Sequence, residues 1–218
     1  MANNDCNRMS RKFSSIWWRM AVLHQAAMML GLAFSGVALA DNTEKAKTIV
    51  TQICSACHGM DGNSKDPIYP KLAGRHRDYV VRELNEFASG KRKSDIMSPI
   101  VATVDPGDFN ALGEYFAAQK PTSDKVLDQA AAEAGKKLYI DGDEDRGVPA
   151  CAECHEANGS GSGRYPRLAG QHRQYLIEQL HNFQKGVRDY NTARFMSSIA
   201  RRLTDDEINE LAEFITGL

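Results

Sequence analysis

The sequence feature that most constrains this 218-residue chain is an internal repeat. The segment Tyr69-Pro-Lys-Leu-Ala-Gly-Arg-His-Arg-Asp-Tyr79 matches Tyr165-Pro-Arg-Leu-Ala-Gly-Gln-His-Arg-Gln-Tyr175, and eight of the eleven positions are identical. Solenoid proteins use shorter and more numerous units, so the repeat predicts two copies of one domain. We place the copies at residues 41–121 and 129–218, with a polar linker over residues 122–128.

Each copy is predicted to be helical. Apolar residues recur at helical spacing between Asp78 and Ser89, and the stretch ends at Gly90, a common C-terminal stop signal. The last helix of the second copy should open with a capping box formed by Thr204 and Glu207. The sequence has no convincing alternation of apolar and polar residues that would indicate a strand. The sequence therefore predicts an all-α fold class.

The first forty residues differ in chemistry from the rest of the chain. Four basic residues come before an uncharged apolar stretch over residues 20–37, and Ala38-Leu39-Ala40 follows as a small-x-small cleavage site. This order is typical of a secretory signal peptide. We therefore expect residues 1–40 to be a cleaved signal peptide and the mature protein to be exported. An uncleaved membrane anchor is the alternative, because the apolar stretch is long for a signal core.

The charge of the chain argues against a nucleic-acid partner. The leader carries four basic residues and one acidic residue, so its removal moves the net charge from −1 to −4. Nucleic-acid binding requires a concentrated basic face, which neither copy provides. A mildly acidic protein is instead suited to approach a basic patch on a protein partner.

Four cysteines lie outside the leader, and they form two C-x-x-C pairs that are each followed directly by a histidine. The two motifs are Cys54, Cys57 and His58, and Cys151, Cys154 and His155. Two thiols at this spacing reach both vinyl groups of one haem, and the next histidine can ligate its iron. A zinc site, a thioredoxin-like redox pair and structural disulfides are the alternatives, but none requires a histidine after each pair. The motifs therefore predict two covalently bound haem c groups.

The sixth ligand of each iron has two candidate pairs. Outside the leader there are three methionines, Met60, Met97 and Met196, and only the last two are equivalent in the repeat. His76 and His172 are the competing pair, for which a surface role or a contact with a haem propionate is the alternative. A thioether ligand fills the sixth position and favours electron transfer. We favour the methionine pair and expect Met60 to be a packing residue.

Several segments together resemble the cytochrome c4 family over the whole mature chain. They are Cys54-Ser-Ala-Cys-His-Gly-Met-Asp-Gly-Asn-Ser64, the two Tyr-Pro-x-Leu-Ala-Gly-x-His blocks, Gly147-Val-Pro-Ala-Cys151 and the two late methionines. The resemblance implies two tandem class I cytochrome c domains that face each other around a pseudo-twofold axis, with haem propionates near the interface. It also implies a periplasmic electron carrier that passes electrons from a quinol-oxidising complex to a terminal oxidase, with loose membrane association.

Export and ligation follow from the same resemblance. Haem is attached outside the cytoplasm by the cytochrome c maturation machinery, so the chain should cross the membrane unfolded by the general secretory route. Each iron would have one histidine and one methionine ligand: His58 and Met97 for the first, His155 and Met196 for the second. The carbonyls of Pro70 and Pro166 would accept hydrogen bonds from the axial histidines. Glu156 departs from the pattern, since glycine follows the haem histidine in the first copy.

An enzyme such as a dihaem peroxidase is the alternative function. Such an enzyme needs an iron with an open sixth position and a nearby acid–base group. The paired methionines argue against an open position, so we expect an electron-transfer protein and not an enzyme. If the copies pack face to face, Arg77 and Arg173, an arginine pair kept through the repeat, should lie near their interface.

Overall fold

The computed structural model describes residues 42–190 and 193–218, so the predicted signal peptide lies outside the described residues. Residues Lys45–Leu218 form one compact unit. Within the described residues the regular structure is helical, apart from one isolated bridge between Asp143 and Val148. The predicted all-α fold is confirmed. No helix in this part of the chain is long and apolar enough to cross a membrane.

The first half, residues 45–121, starts with a helical run that carries the first cysteine motif. Residues 45–49 are helical and lead into a π-helical stretch, Val50–Cys54, which continues as the short helix α1, Ser55–His58. The helices that follow are α2, Arg77–Ala88; α3, Met97–Val101; and α4, Phe109–Ala117, which is preceded by a 3₁₀ turn at Pro106–Asp108.

The second half, from residue 129 to the C-terminus, repeats this order. Its helices are α5, Gln129–Asp141; α6, Ala152–His155; α7, Arg173–Gln184; α8, Ala193–Ala200; and α9, Asp205–Gly217. The predicted capping box is present at the start of α9. The Thr204 hydroxyl accepts from the Glu207 amide at 3.2 Å, and the Glu207 carboxylate accepts from the Thr204 amide at 2.8 Å.

Each half has its own apolar core, built where its first and last long helices meet. In the second half α5 crosses α9 at Gly135, where a Cβ atom would collide with the backbone of Glu210. Only glycine allows this close approach of two helices. Tyr139, Ile208 and Leu211 pack beside the crossing. In the first half Phe109, Leu112 and Phe116 of α4 form the corresponding cluster with residues of the opening helix and α2.

Candidate haem sites and the interface between the halves

The two cysteine motifs occupy equivalent places at the ends of helices. Cys54 lies directly before α1, and Cys151 lies directly before α6. All four cysteines are half-buried and free of disulfides. Burial raises the pKa of Cys54 and of Cys151 to about 11, so an unattached thiol at either position stays protonated at neutral pH. In the described part of the chain, no three His, Cys, Asp or Glu side chains converge as a metal cluster.

The histidine of the first motif is held by one backbone carbonyl. His58 is only 5% exposed, and its Nδ1 lies 2.8 Å from the carbonyl oxygen of Pro70. A carbonyl can only accept, so Nδ1 carries the proton and Nε2 has a free lone pair. Nε2 is buried and has no hydrogen-bond partner among the described residues. Burial lowers the pKa of His58, and the bond to Pro70 partly opposes this. A neutral imidazole with a free, buried nitrogen is what a metal ligand requires.

The second motif repeats this geometry. His155 is 5% exposed, and its Nδ1 lies 3.0 Å from the carbonyl oxygen of Pro166. Burial lowers the pKa of His155, the bond to Pro166 raises it, and the positive charge of Arg75 lowers it further. Two repeat-equivalent histidines are therefore oriented in the same way, by the carbonyls of two repeat-equivalent prolines.

A cavity of about 390 Å³ lies between the two halves. Most of its lining side chains are apolar, and the two motif histidines and two methionines are among them: His58, His155, Met97 and Met196. An apolar cavity of this kind, with two oriented imidazoles, fits large flat apolar groups that are bound through iron. The structure thus brings the predicted histidine and methionine of each half to one cavity.

The competing histidine pair lies elsewhere, in the contact between the halves. Nε2 of His76 lies 3.1 Å from the carbonyl oxygen of Ser160, and Nε2 of His172 lies 3.0 Å from that of Ser64. These contacts are related by the repeat, because each histidine reaches the same backbone position of the other half. His172 also lies 2.6 Å from the Asp124 carboxylate through Nδ1. The ring nitrogens that would ligate iron are therefore engaged at the interface.

A buried ionic cluster, formed by Glu83, Arg92, Gln179 and Arg188, joins the halves at their centre. Arg92 donates to the Glu83 carboxylate at 2.6 Å and to the Gln179 amide oxygen at 3.1 Å. Arg188 donates to the same two groups at 3.0 Å in each case. The two arginines are equivalent in the repeat, and so are Glu83 and Gln179. The cluster is thus arranged around the pseudo-twofold axis, with one carboxylate shared by two arginines.

Tyrosines complete this central cluster. Arg92 donates to the Tyr175 hydroxyl and Arg188 to the Tyr79 hydroxyl, each at 3.1 Å. Tyr190 donates to Glu83 at 2.6 Å. Sequence reasoning missed Arg92 and Arg188, although each stands two positions after a glycine that is kept through the repeat, Gly90 or Gly186.

One prediction from the sequence is wrong and another stays a prediction. The ion pairs of Arg77 and Arg173 with the last helix lie within their own halves, because each arginine begins a helix beside the last helix of its half, and their place near the interface stays a prediction. Arg77 binds Glu114 at 3.3 Å, and Arg173 binds Glu213 at 2.7 Å. Met60 is not a packing residue, since it is 44% exposed. Its backbone carbonyl accepts a hydrogen bond from the Tyr115 hydroxyl at 2.8 Å.

Known proteins are similar to this chain in sequence and fold. The family model described as Cytochrome c matches residues 43–122 and again residues 132–218. Cytochrome c4 of Azotobacter vinelandii is 36% identical over 203 residues, which cover 88% of this chain and 96% of the relative. This chain belongs to the cytochrome c4 family. The crystal structure of reduced recombinant cytochrome c4 from Pseudomonas stutzeri is 35% identical, with a TM-score of 0.75, and the match covers 81% of this chain and 98% of that one.

A further relative bears a different name. A protein of Stutzerimonas stutzeri (strain A1501) named "Thiosulfate dehydrogenase electron acceptor" is 33% identical over 169 residues, which cover 76% of this chain and 78% of the relative. Cytochromes c4 are dihaem electron carriers, and the two C-x-x-C-H motifs of this chain fit two haem c groups. The predicted family, cofactor and electron-carrier class are confirmed.

Proposed function

We propose that this cytochrome c4 is a periplasmic carrier that receives electrons from a quinol-oxidising complex and delivers them to a terminal oxidase. The observation that carries the proposal is the repeated site geometry. In each half a histidine donates through Nδ1 to a proline carbonyl, while its ring lines the shared apolar cavity. A site built twice in this way suits the storage and transfer of single electrons.

We assign the haem-binding residues from the same geometry. Thioether bonds form at the four motif cysteines: Cys54, Cys57, Cys151 and Cys154. The residues that would ligate the iron are His58 and Met97 in the first half and His155 and Met196 in the second. Support comes from the free lone pair on His58 and from the position of both methionines on the cavity wall.

The protein's own contribution is orientation and exclusion of water. The haem supplies a one-electron iron couple. The carbonyls of Pro70 and Pro166 fix the ring planes of the axial histidines and make them more basic ligands. Apolar side chains such as Leu112 and Phe116 line the cavity and would keep water from a haem bound there, which would raise its reduction potential.

Domain boundaries and export belong to the same proposal. We place the domains at residues 41–121 and 129–218, the linker at residues 122–128, and a signal peptide at residues 1–40. The linker packs against both halves: Thr122 donates to Asn63 at 3.0 Å, and Ser123 donates to the carbonyl of Leu218 at 2.6 Å. Cell fractionation tests the location, with the haem protein expected in the periplasmic fraction and its first residue expected to be Asp41.

Removal of either methionine tests the ligand assignment. Met97→Ala and Met196→Ala should each lower the reduction potential of one haem and abolish about half of the near-infrared charge-transfer band of ferric His/Met haem. Visible and near-infrared spectra of the two purified variants measure this. Met60→Ala is the matched control and should retain the whole band, because Met60 is exposed. Full bands in both ligand variants would reject the assignment.

Binding of small exogenous ligands to the iron distinguishes an electron carrier from an enzyme. With a methionine on each iron, neither haem should bind cyanide or carbon monoxide readily in the folded protein, whereas a peroxidase must offer an open position.

The name of the Stutzerimonas relative favours a second electron donor, a dehydrogenase that oxidises thiosulfate. Stopped-flow reduction by the quinol-oxidising complex and by such a dehydrogenase compares the donors, and failure with both would contradict the proposed carrier role.

A further inference from the structure

The peptide group that holds the motif histidine of the first half is itself held by a side chain of the second half. His58 donates through Nδ1 to the carbonyl oxygen of Pro70 at 2.8 Å. The amide of Lys71 belongs to the same peptide group, and it donates to Oε1 of Gln171 at 2.8 Å. Gln171 is buried, with 2% of its surface exposed. One peptide group therefore joins the imidazole of the first half to a side chain of the second.

The orientation of the Gln171 amide is fixed by its other contacts. Its Nε2 donates to the carbonyl oxygen of Lys71 at 3.2 Å, and its Oε1 also accepts from the backbone amide of His172 at 3.0 Å. A backbone carbonyl can only accept and a backbone amide can only donate, so these partners determine which end is nitrogen and which is oxygen. The side chain thus presents an acceptor, and not a donor, to the Lys71 amide.

The two hydrogen bonds on this peptide group reinforce each other. In a trans peptide the C=O and N–H bonds point in opposite directions from one planar, resonant unit. An acceptor on the N–H polarises that unit and makes its carbonyl oxygen a stronger acceptor, by about 10–30% per bond. Gln171 therefore strengthens the bond that His58 donates to Pro70.

The residue equivalent to Gln171 cannot make the same bond, because it is a donor only. Arg75 and Gln171 both follow the Leu-Ala-Gly segment of their copies. A guanidinium carries five N–H donors and no acceptor, so it cannot accept from a backbone amide. Arg75 instead donates through Nε to the carbonyl of Lys71 in its own half, at 3.1 Å. The peptide group that holds His155 therefore receives no equivalent bond from this position.

We propose that Gln171 of the second half lowers the reduction potential of the haem held by the first half. A stronger hydrogen bond at Nδ1 gives an imidazole more imidazolate character and makes it a more basic ligand. A more basic ligand stabilises ferric iron, so the potential falls. Gln171 acts through Pro70 and His58 and is thus a positioning residue. The inference rests on the proposed ligation of the first iron by His58.

Redox titration of the full-length holoprotein tests this role. Met196→His should move the second haem to low potential, because it removes the thioether ligand, and should leave the first haem as the higher wave. In that background, Gln171→Met removes the acceptor. It should raise the higher wave by roughly threefold in the ratio of reduced to oxidised haem at a fixed applied potential, about 28 mV for one electron, and move the lower wave less.

Thr216→Val is the matched control for the titration. The Thr216 hydroxyl donates to the backbone carbonyl of Gln171 at 2.5 Å. The change to valine removes this buried hydrogen bond but leaves the side-chain amide of Gln171 on the Lys71 peptide. It should therefore shift neither wave, and a shift equal to that of Gln171→Met would contradict the proposal.

Proton NMR of the reduced, diamagnetic protein gives a readout that a merely structural role would not move. On the otherwise natural chain, the Nδ1–H resonance of His58 should move upfield in Gln171→Met, because its hydrogen bond weakens, while that of His155 stays. Gln171→Glu keeps an acceptor for the Lys71 amide, so its His58 resonance should stay at or downfield of the natural position. This variant also tests the role if Gln171→Met does not fold.

A higher wave that is unchanged or lowered in Gln171→Met, an equal shift of both waves, or an unmoved His58 resonance would overturn the proposal. Intact mass and the near-infrared band separate two kinds of failure. A natural chain with only one covalent haem, or without the band, would refute the proposed ligation. Two haems, the full band and an unmoved higher wave would refute only the role of Gln171.

Discussion

The two halves share one helical frame but differ where they face each other. Arg92 and Arg188 stand at equivalent positions of the two copies, and each donates to two acceptors. The acceptor from the first half is the carboxylate of Glu83, whereas its equivalent from the second half is the amide of Gln179. A domain that packs against its own duplicate places equivalent residues together near the axis. The two arginines already place like charges side by side there, and among the described residues of the cluster Glu83 is the carboxylate that both of them bind. Duplication therefore preserves the frame, while the two halves contribute unequally to the charge at the axis.

Loss of a haem should have the largest effect and should reveal how much each half depends on it. Cys54→Ser/Cys57→Ser and Cys151→Ser/Cys154→Ser each remove one covalent attachment. If half of the 390 Å³ cavity stays empty, the cost is about 5 kcal/mol at roughly 24 cal/mol per Å³. That is comparable to the whole stability of a small domain, so the affected half should unfold.

Circular dichroism during thermal unfolding measures this loss of helix. The second half contains more helix than the first, so the variant at Cys151 and Cys154 should retain less helical signal than the variant at Cys54 and Cys57. Unfolding curves that match the natural holoprotein in both variants would show that the cores are stable alone, contrary to this account.

Glu83→Gln tests the charge difference at the axis and should have an intermediate effect. It makes the axis symmetric, with two amides, and leaves two buried arginines without a carboxylate, at a cost of about 3–5 kcal/mol. Asp141→Asn is the matched control. Its side chain is 58% exposed and that of its partner Lys137 is 79% exposed, so the loss should be about 1 kcal/mol or less. Urea unfolding measures both, and equal losses would contradict the special role of the axis.

The same carboxylate predicts a pH dependence. Burial alone would raise the pKa of Glu83, but Arg188 and Arg92 outweigh it and hold the pKa below its ordinary value of 4.5. Since the folded pKa is lower than the unfolded one, the stabilisation is complete above about pH 4.5 and is lost as the pH falls through the folded value. Unfolding measured against pH should lose this acid-side slope in Glu83→Gln.

The short-range features of the fold could be predicted from the sequence, but the contacts between the two halves could not. The helix α2 and the capping box at Thr204 follow from short-range signals, and so does the pairing of a histidine with each cysteine motif. Glu83 carries no such signal, because in its own copy it is an ordinary polar residue of a helix, and its partner Arg188 lies 105 positions away. Repetition alone does not distinguish an axis residue such as Arg92 from a helix-start residue such as Arg77, which binds Glu114 of its own half.

A smaller difference between the halves lies directly after each motif histidine. Gly59 and Glu156 both have positive φ, 76° and 66°, with ψ of 158° and 151°. This region of backbone space suits only glycine. Glu156→Gly should therefore stabilise the second half by about 1 kcal/mol, measured by thermal unfolding. Gly59→Glu is the reverse change and should destabilise the first half by a similar amount. A destabilised Glu156→Gly protein would mean that the glutamate makes a compensating contact.

The central claim is that each half holds one covalently bound haem, and the intact mass of the denatured holoprotein tests it most directly. The natural chain should carry the mass of the mature polypeptide plus two haem groups. Each double-cysteine variant should carry one, and proteolytic mapping should place the remaining haem on the peptide with the intact motif. A natural chain with the mass of the bare polypeptide, or a double-cysteine variant that still carries two covalent haems, would contradict the account.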